Sequence, residues 1–266
     1  MANRMRVIAS GVTLARRYGH RLRIIWYKDF GLNCRFDQLF EPIQASDITL
    51  KEAGWLDKIL LDRPRKKNFY IPRLFHKMLF NDGLYEDDDK AIFVDQAFDY
   101  ATWLRVNRSV YIATCYPFQD IPHGLYRELF VPVPPLAERV EGYASRFSSH
   151  PVGVHIRRTD NAVAIAKSPL SLFIEAMETE VAAHPDTIFF VASDSEEVKN
   201  TLEERFKGRI LTASNPADRN SLQGMEDAVV DFFTLGKTTK ILGSCNSSFS
   251  QLAAQLYDIP YQEISK

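Results

Sequence analysis

Residues 152–161 read VGVHIRRTDN, and this run is the best starting point for inferring the architecture of the chain. Its apolar residues up to Ile156 predict a buried strand, and a histidine, two arginines and an aspartate stand at the carboxyl end. In an open parallel sheet, ligands bind in the crevice outside the carboxyl ends of the strands. Two guanidinium groups there predict a multiply charged anion, because arginine offers a rigid fork that matches phosphate oxygens. The alternative is a strand that ends in solvent-exposed charges.

The chain after residue 150 alternates between strand-like and helix-like runs. The strand-like runs are 152–156, 187–192, 209–212 and 239–242, and the helix-like runs are 169–183, 195–206, 223–236 and 247–257. Alternation of this kind indicates βαβ crossovers and a parallel sheet. We therefore predict an α/β protein with two Rossmann-like lobes whose parallel sheets face a cleft.

The first half of the chain carries weaker signals. Residues 3–18 have the apolar spacing of a helix with Gly19 as its terminator, and residues 21–27 read as a strand. Further along, we predict a helix at 49–61 and short strands at 91–94 and 109–114.

The clustered prolines of residues 131–135, VPVPP, predict an extended connector between two domains. We place the boundary after residue 134. The amino-terminal domain is then 1–134 and the carboxy-terminal domain is 135–266. A predicted helix at 136–147 opens the second domain.

Composition narrows the class of protein. The 33 Lys and Arg residues nearly balance 34 Asp and Glu residues, so we expect no nucleic-acid partner, which would require a basic excess. No apolar run reaches the roughly 18 residues of a membrane span, and no signal peptide is visible. Three scattered cysteines indicate reduced thiols. We therefore expect a cytoplasmic protein without a transmembrane segment, which leaves peripheral contact with a membrane open.

A second strand tip falls at residues 189–195, FFVASDS. Asp194 stands just before a predicted helix, where such residues cap the free amide groups of the first turn. A carboxylate at this place can also accept two hydrogen bonds from the edge of a guanine ring. The local sequence leaves capping and base recognition equally open.

A third strand tip is followed by residues 243–250, GSCNSSFS, which open the last predicted helix. Backbone donors and the helix dipole make such a position an anion site. Capping by Ser247 or Ser248 is the alternative, and both interpretations can hold together.

Asp231 lies among apolar residues in the run 224–233, GMEDAVVDFF. A buried carboxylate usually needs a partner, and a salt bridge to Arg157 or Arg158 is one candidate. A surface-facing side chain is the other.

We expect neither a metal site nor a cofactor. The acidic run 86–89, EDDD, follows a polar stretch and is best explained as a solvated loop. The histidines other than His155 have no ligand spacing.

Together these motifs resemble those of the fucosyltransferase superfamily that uses GDP-fucose, which includes the α1,6-fucosyltransferases, the nodulation fucosyltransferases and the protein O-fucosyltransferases. The resemblance covers about residues 150–260. HxRRxD, from His155 to Asp160, looks like the first motif, and Asp194 matches the nucleotide-binding aspartate. Residues 224–231 resemble the second motif and Ser247-Ser248 the third. Helix 3–18 and strand 21–27 resemble the amino-terminal lobe, whose Asn-Arg helix start corresponds to Asn3 and Arg4.

The resemblance implies a GT-B-like, inverting, metal-independent glycosyltransferase with a shortened amino-terminal lobe. It also implies that domain 1–134 is the acceptor side and domain 135–266 the nucleotide-sugar side. Its partners would be a nucleotide sugar, GDP-fucose or a related GDP-sugar, and a carbohydrate acceptor. By position, Arg157 would neutralise the β-phosphate. Arg158 and Asp160 would be the other two catalytic residues. His155 would lie next to the diphosphate, Asp194 would read guanine and Ser248 would contact phosphate. The remaining substrate-binding positions are Asp231, Ser247, Asn3 and Arg4.

Two departures leave the catalytic base unassigned. Asn161 stands where the α1,6-fucosyltransferases have a lysine, and Ile165 stands where they have a glutamate. An inverting transfer normally needs a group that accepts the proton of the acceptor hydroxyl. The alternatives are a nucleotide-sugar-binding protein without catalysis and a glycosyltransferase of the same fold with another donor.

Overall fold

A computed structural model describes residues 1–29, 32–61, 63, 74–95, 98–159, 162–213, 218 and 220–266. The chain divides into two compact units, residues 1–28 with 42–131 and residues 29–41 with 132–266. Both units are α/β and all of their described strand pairs are parallel, as predicted.

The described strands are β1 Leu22–Trp26, β2 Ile48–Glu52, β3 Asp82–Tyr85, β4 Val110–Ala113, β5 Pro151–Ile156, β6 Ile188–Ser193, β7 Ile210–Thr212, β8 Lys240–Ser244 and β9 Tyr261–Ile264. The described helices are α1 Ala2–Tyr18, α2 Trp55–Leu60, α3 Leu74–Leu79, α4 Lys90–Asp95, α5 Tyr100–Val106, α6 Leu125–Leu129, α7 Pro134–Ala144, α8 Ala162–Lys167, α9 Leu170–Ala183, α10 Glu196–Arg205, α11 Leu222–Gly236 and α12 Ser248–Tyr257, with a 3-10 turn at Phe36–Gln38.

The second unit is built on a parallel sheet in the order β7-β6-β5-β8-β9. The chain enters at the central strand β5, lays β6 and β7 on one side, and then returns to place β8 and β9 on the other. β5 and β8 are therefore the neighbours between which the winding reverses, in register Val154↔Leu242. Loops from such neighbouring strands diverge and leave a crevice at the carboxyl ends, where ligands of this fold class bind.

The central strand is apolar because helices cover both of its faces. Val152, Val154 and Ile156 are fully buried in one core with Phe173 of α9 and Leu202 of α10. On the opposite face, rings of Tyr143 and Phe147 lie against Phe190 of β6, while α7 and α12 both pack against α11. Burial of these side chains fixes the register of β5 and hence the residues that emerge at its end.

The first unit contains two parallel ladders, β1–β2 and β3–β4. α1 buries Met5, Ala9 and Val12 on one face, as the spacing predicts, and ends at Gly19 in the left-handed conformation (φ 70°). A second cluster of this unit gathers buried aromatic side chains, including Phe93, Tyr100, Trp103 and Phe118. Within the described chain, no helix combines the length and apolarity needed to cross a membrane.

The predicted strands and helices after residue 150 are confirmed to within two residues, as are α1, β1 and β4. α7 begins two residues before the predicted start and ends three residues before the predicted end. Two predictions in the first half are wrong. The helix at 49–61 is a strand, β2, followed by the short helix α2, because residues 48–52 pair with β1. The apolar run 91–94 is part of α4, since a short apolar run does not distinguish strand from helix.

The prolines of residues 131–135 do not all form an extended connector. Pro132 bridges to Phe40, whereas Pro134 and Pro135 form the first turn of α7. Proline suits a helix start because its missing N–H would have no partner there.

Gly153 makes a testable contribution to the central strand. A Cβ at this position would lie 2.9 Å from Leu235 Cδ2 and 2.9 Å from Thr238 Oγ1. The Thr238 hydroxyl donates to the carbonyl of Leu235 at 2.7 Å, so it cannot move aside freely. We expect Gly153→Ala to lower the free energy of unfolding by about 1–3 kcal/mol, measured by urea denaturation.

Gly142 provides the matched control. It is exposed in α7, and a Cβ there would have no heavy atom within 4 Å. Gly142→Ala should raise the free energy of unfolding by up to about 1 kcal/mol, because alanine favours the helix. Equal effects of the two substitutions would contradict the packing described around β5.

Candidate functional site

The carboxyl ends of β5, β6 and β8 carry most of the predicted site residues. β5 ends in His155 and Ile156 and continues into Arg157, Arg158 and Thr159. Residues 194–195 follow β6, and residues 245–250 follow β8 and open α12. These three segments adjoin because β5 lies between β6 and β8.

His155 contacts the start of α12. Its Nδ1 lies 3.1 Å from the hydroxyl of Ser247 and 3.3 Å from the hydroxyl of Ser250, and both serines are buried. The imidazole also packs against Phe249, with ring centroids 4.9 Å apart. A hydroxyl that donates to Nδ1 favours the tautomer with the proton on Nε2. With Ser247 as the donor to Nδ1, the outer nitrogen of His155 carries the proton and can donate a hydrogen bond.

Gly243 is what allows α12 to come this close. A Cβ at Gly243 would lie 2.6 Å from Ser250 Oγ and 2.7 Å from the hydroxyl of Tyr261. Ser247 and Ser250 are three residues apart, which places them on the same side of the helix start. The sequence run 243–250 therefore has a glycine where the helix approaches and serines where it meets the histidine.

The chain after β5 is tied to β8 by Ser244. The backbone N–H of Arg157 donates to Ser244 Oγ at 3.1 Å, and this fully buried hydroxyl lies 3.3 Å from the carbonyl of His155, to which it donates. These two bonds extend the pairing of β5 with β8 by a side chain. The backbone of Arg157 is consequently fixed, and its guanidinium group starts from a defined position.

Asp194 ties the same chain to β6. Its Oδ1 accepts the N–H of Arg158 at 2.6 Å, and its Oδ2 accepts the N–H and the hydroxyl of Thr159 at 3.2 and 2.7 Å. The side-chain cap of α10 is Ser195, whose hydroxyl accepts the N–H of Val198. Capping is therefore not the role of Asp194, and its carboxylate instead positions the residues that follow β5.

Arg158 contains an unsatisfied donor. Its Nη1 donates to the carbonyl of Arg157 at 3.1 Å, whereas its Nη2 is buried and has no hydrogen-bond partner among the described residues. Burial lowers the pKa of Arg158, and the nearby charge of Asp194 acts in the opposite direction. A buried cationic donor without an acceptor is costly, so this group is suited to an anionic ligand.

Asp231 forms neither of the arrangements considered from the sequence. It is half-buried, its Oδ1 has no hydrogen-bond partner, and it makes no ion pair with Arg157 or Arg158 within the described chain. Burial raises the pKa of Asp231 to about 7, helped by the charge of Asp227 and opposed by Lys199 and Arg139. The salt bridge, one of the two arrangements considered, is thus not formed, and the half-buried side chain keeps one oxygen away from solvent.

A separate cavity of about 600 Å³ lies in the same unit. Its lining residues are Gln38, Val133, Pro135, Leu136, Arg139, Gln223 and Glu226. Arg139 forms an ion pair with the buried Asp227, which also accepts a hydrogen bond from Gln223 at 3.0 Å. None of the predicted site residues lines this cavity.

The remaining predicted residues lie elsewhere or outside the described chain. Ser248 is half-buried at the first position of α12, next to Ser247, whose side chain makes no capping bond to this helix in the described chain. Asn3 and Arg4 belong to α1 in the other unit, where Arg4 donates to the carbonyl of Tyr27 and lies over the ring of Trp26. Asp160 and Asn161 are not among the described residues.

Sequence reasoning missed four residues that complete the arrangement. They are Thr159, Ser244, Phe249 and Ser250. Ser244 and Ser250 could have been suspected, since small hydroxyl side chains at a strand tip and a helix start often bond to backbone groups. Nothing in the sequence indicates which groups they meet.

Comparison with known proteins identifies the fold. No protein-family model matches the chain, and no curated protein matches it significantly in sequence. Among solved structures, NodZ α1,6-fucosyltransferase soaked with GDP-fucose is similar, with a TM-score of 0.63, 17% identity, and 96% of this chain and 89% of that chain covered. NodZ was also solved from Bradyrhizobium, at 16% identity.

Two further solved structures have a similar fold. A mutant of FUT1 from Arabidopsis thaliana in complex with GDP gives a TM-score of 0.67 and 16% identity, with 99% of this chain and 67% of that chain covered. POFUT1 in complex with GDP gives a TM-score of 0.57 and 12% identity, with 99% and 95% covered. The expected GT-B-like fold, shared with fucosyltransferases, is confirmed. Correspondence of individual motifs, HxRRxD included, stays a prediction.

The raised pKa of Asp231 predicts a pH-dependent stability. An aspartate that holds its proton more tightly when folded stabilises the native state below the unfolded pKa, and this contribution is lost as the pH rises through about 7. Asp231→Asn should therefore raise the free energy of unfolding above pH 7, by at most about 4 kcal/mol, and change it little near pH 4. Urea denaturation at both pH values measures the difference.

Asp120→Asn serves as the control, because it is the same substitution at an exposed aspartate. An equal loss of stability at both pH values would contradict this prediction. It would show that the carboxylate stabilises the fold although its Oδ1 has no hydrogen-bond partner.

Proposed function

We propose that this protein is a glycosyltransferase that transfers fucose from GDP-fucose to a carbohydrate acceptor, with inversion and without a metal ion or cofactor. The proposal rests on three elements that meet at the switch point of a parallel sheet. They are His155, the segment that contains Arg157 and Arg158, and the start of α12. The shared fold with proteins solved with GDP or GDP-fucose supports it. A cytoplasmic location belongs to the same proposal.

The leaving group is a nucleoside diphosphate, so negative charge grows on it as the bond to the sugar breaks. Donors fixed in advance at the place where charge develops lower the barrier most, because they need no reorganisation. Arg157 is assigned to the β-phosphate, and His155 would donate from Nε2 beside the diphosphate. Ser248 and the first amides of α12 would contact phosphate oxygens, aided by the helix dipole.

The backbone at the carboxyl end of β5 is fixed by hydrogen bonds, which explains why these groups would be effective. Ser244 fixes the N–H of Arg157 from one side and Asp194 fixes the N–H groups of Arg158 and Thr159 from the other. Arg158 then presents a buried Nη2 that an oxygen of the diphosphate would satisfy. Asp160, which follows at once in the sequence, is assigned to orienting the arginines.

The resemblance assigns guanine recognition to Asp194, and Asp231 is a second candidate for this role. Reading guanine takes two hydrogen bonds, and an ionised carboxylate accepts about four in all. Asp194 already accepts three. Asp231 retains a buried oxygen without a partner. We therefore assign base recognition to Asp231 in preference and a positioning role to Asp194.

A panel of nucleotides tests the donor. Isothermal calorimetry with GDP, UDP and ADP should give clear preference for GDP, because only guanine offers N1–H and an exocyclic amine side by side. Asp231→Asn should narrow the ratio of GDP to UDP affinity by about tenfold or more, since each lost hydrogen bond to a charged group costs roughly 1.5–3 kcal/mol. Asp194→Asn should weaken all three nucleotides alike.

No binding of any nucleotide would refute the proposal, and equal affinities would refute GDP as the donor product. Binding of GDP without hydrolysis or transfer of GDP-fucose would instead identify a non-catalytic nucleotide-sugar-binding protein. Ile165 favours this second candidate. It is exposed in α8, at the position where the resemblance leads us to expect a catalytic base.

Arg157→Ala tests the leaving-group role. If its guanidinium group neutralises the departing diphosphate, turnover of GDP-fucose should fall by on the order of 100-fold or more while the fold is kept. Arg205→Ala is the matched control, because Arg205 is exposed in the same unit and pairs with Glu178. Near-normal turnover of the Arg157 variant would remove Arg157 from the reaction.

A further inference from the structure

The cavity of about 600 Å³ in the second unit has no part in the proposed nucleotide site. Its wall comes from the 3-10 turn Phe36–Gln38 and the starts of α7 and α11. The N–H of Val133 donates to the carbonyl of Leu39 at 3.1 Å, and the rings of Phe40 and Phe233 of α11 lie 6.4 Å apart. These contacts fix the three segments to one another. The volume is within the range of about 300–1,000 Å³ that is usual for small-molecule sites.

The cavity lies at the same edge of the sheet as the candidate nucleotide site. The chain leaving α11 adjoins the start of β5, because the N–H of Thr239 donates to the carbonyl of Pro151 at 2.8 Å. From there α11 packs along β5. Its 15 residues span about 22 Å, and the six residues of β5 span about 20 Å. The first turn of α11 is therefore level with the carboxyl end of β5, from which Arg157 emerges.

A buried carboxylate holds two polar side chains of the wall in place. Asp227 is 5% exposed, and its Oδ1 accepts hydrogen bonds from Arg139 Nη2 and from Gln223 Nε2, the second at 3.0 Å. Arg139 belongs to α7 and Gln223 to α11, so one acceptor fixes both side chains before a ligand arrives. A site that is ordered in advance loses less conformational freedom on binding.

Hydrogen-bonding groups of the wall remain unused within the part of the chain that the structure describes. Arg139 has five N–H donors, of which one is engaged in its ion pair. Gln38 Oε1 accepts a backbone N–H of its own turn at 2.8 Å, which leaves the amide donors of Gln38. The side-chain oxygen of Gln223 accepts no bond there, and the carboxylate of Glu226 makes neither a hydrogen bond nor an ion pair.

This mixture of groups indicates a neutral ligand that carries hydroxyl groups. A cation would face Arg139 and an anion would face Glu226, so a charged ligand of either sign meets a like charge. A hydroxyl both donates and accepts, and it can therefore bond to Glu226 or Gln223 through its hydrogen and to Gln38 or Arg139 through its oxygen. An apolar surface for ring carbons completes the wall, from Val133, Pro135 and Leu136.

From this we propose that the cavity binds a neutral sugar residue of the acceptor. Glu226 and Gln223 accept hydrogen bonds from its hydroxyl groups, and Gln38 and Arg139 donate to them. That the sugar belongs to an acceptor rests on the proposed function, whereas its chemical class follows from the wall alone. The cavity shares no lining residue with the nucleotide site, so the sugar held here is a neighbour of the residue that receives the transferred group.

A panel of immobilised glycans, neutral and acidic, tests the class of ligand. The full-length protein should bind neutral glycans and prefer them to counterparts that carry sialic or uronic acid. Titration calorimetry with the neutral glycan bound most strongly then measures the variants. Glu226→Ala should weaken binding by about tenfold or more, because the sugar hydroxyl loses a charged acceptor. Glu226→Gln should lose less, since an amide oxygen still accepts. Neither should lower the melting temperature.

Glu204→Ala is the matched control. Glu204 is exposed in α10, which packs on the other face of the sheet, so this variant should bind glycans as the unchanged protein does. Equal losses in Glu226→Ala and Glu204→Ala would overturn the proposal. Absence of binding to every neutral glycan would do so too, as would a preference for acidic ones.

GDP affinity measured on the same proteins separates this site from the nucleotide site. Glu226→Ala should leave it unchanged, and a loss matching that of glycan binding would place the nucleotide in the cavity and overturn the proposal. Glycan binding that depends on Glu226, in a protein that binds no GDP, would support the sugar site while refuting the proposed transferase function.

Discussion

The chain leaving β5 is held from both sides, and the candidate site depends on this constraint. Ser244 of β8 accepts the N–H of Arg157, and Asp194 after β6 accepts those of Arg158 and Thr159. A segment that leaves a sheet usually gains freedom, because its ladder hydrogen bonds end there. Here two side chains continue the pairing, so the residues of a conspicuous motif start from fixed backbone positions.

Two buried polar groups of the second unit are left unsatisfied. Arg158 Nη2 and Asp231 Oδ1 are both buried without a hydrogen-bond partner among the described residues. Each lowers the stability of the folded protein. Arg158 Nη2 needs a hydrogen-bond acceptor, whereas Asp231 Oδ1 needs a donor. A nucleotide offers both, with oxygens on its phosphates and N–H groups on its base.

The first unit shows a different conflict between local and global order. α2 and α3 are anchored through Asp57 and His76 and turn their apolar residues outward. Amphipathic spacing alone would have placed those residues in a core.

The sequence by itself determined the parallel α/β unit, because apolar runs of strand length alternate with helical ones after residue 150. It also identified His155 and the two arginines as residues at a strand tip. It could not separate β2 from a helix at 48–52, since that pairing with β1 is a contact between segments more than twenty residues apart. Tertiary structure alone decided that Asp194 holds the backbone and that Asp231 makes no salt bridge with the arginines. The physical reason is that periodicity reports which face is buried, whereas a hydrogen-bond partner is set by where distant segments meet in space.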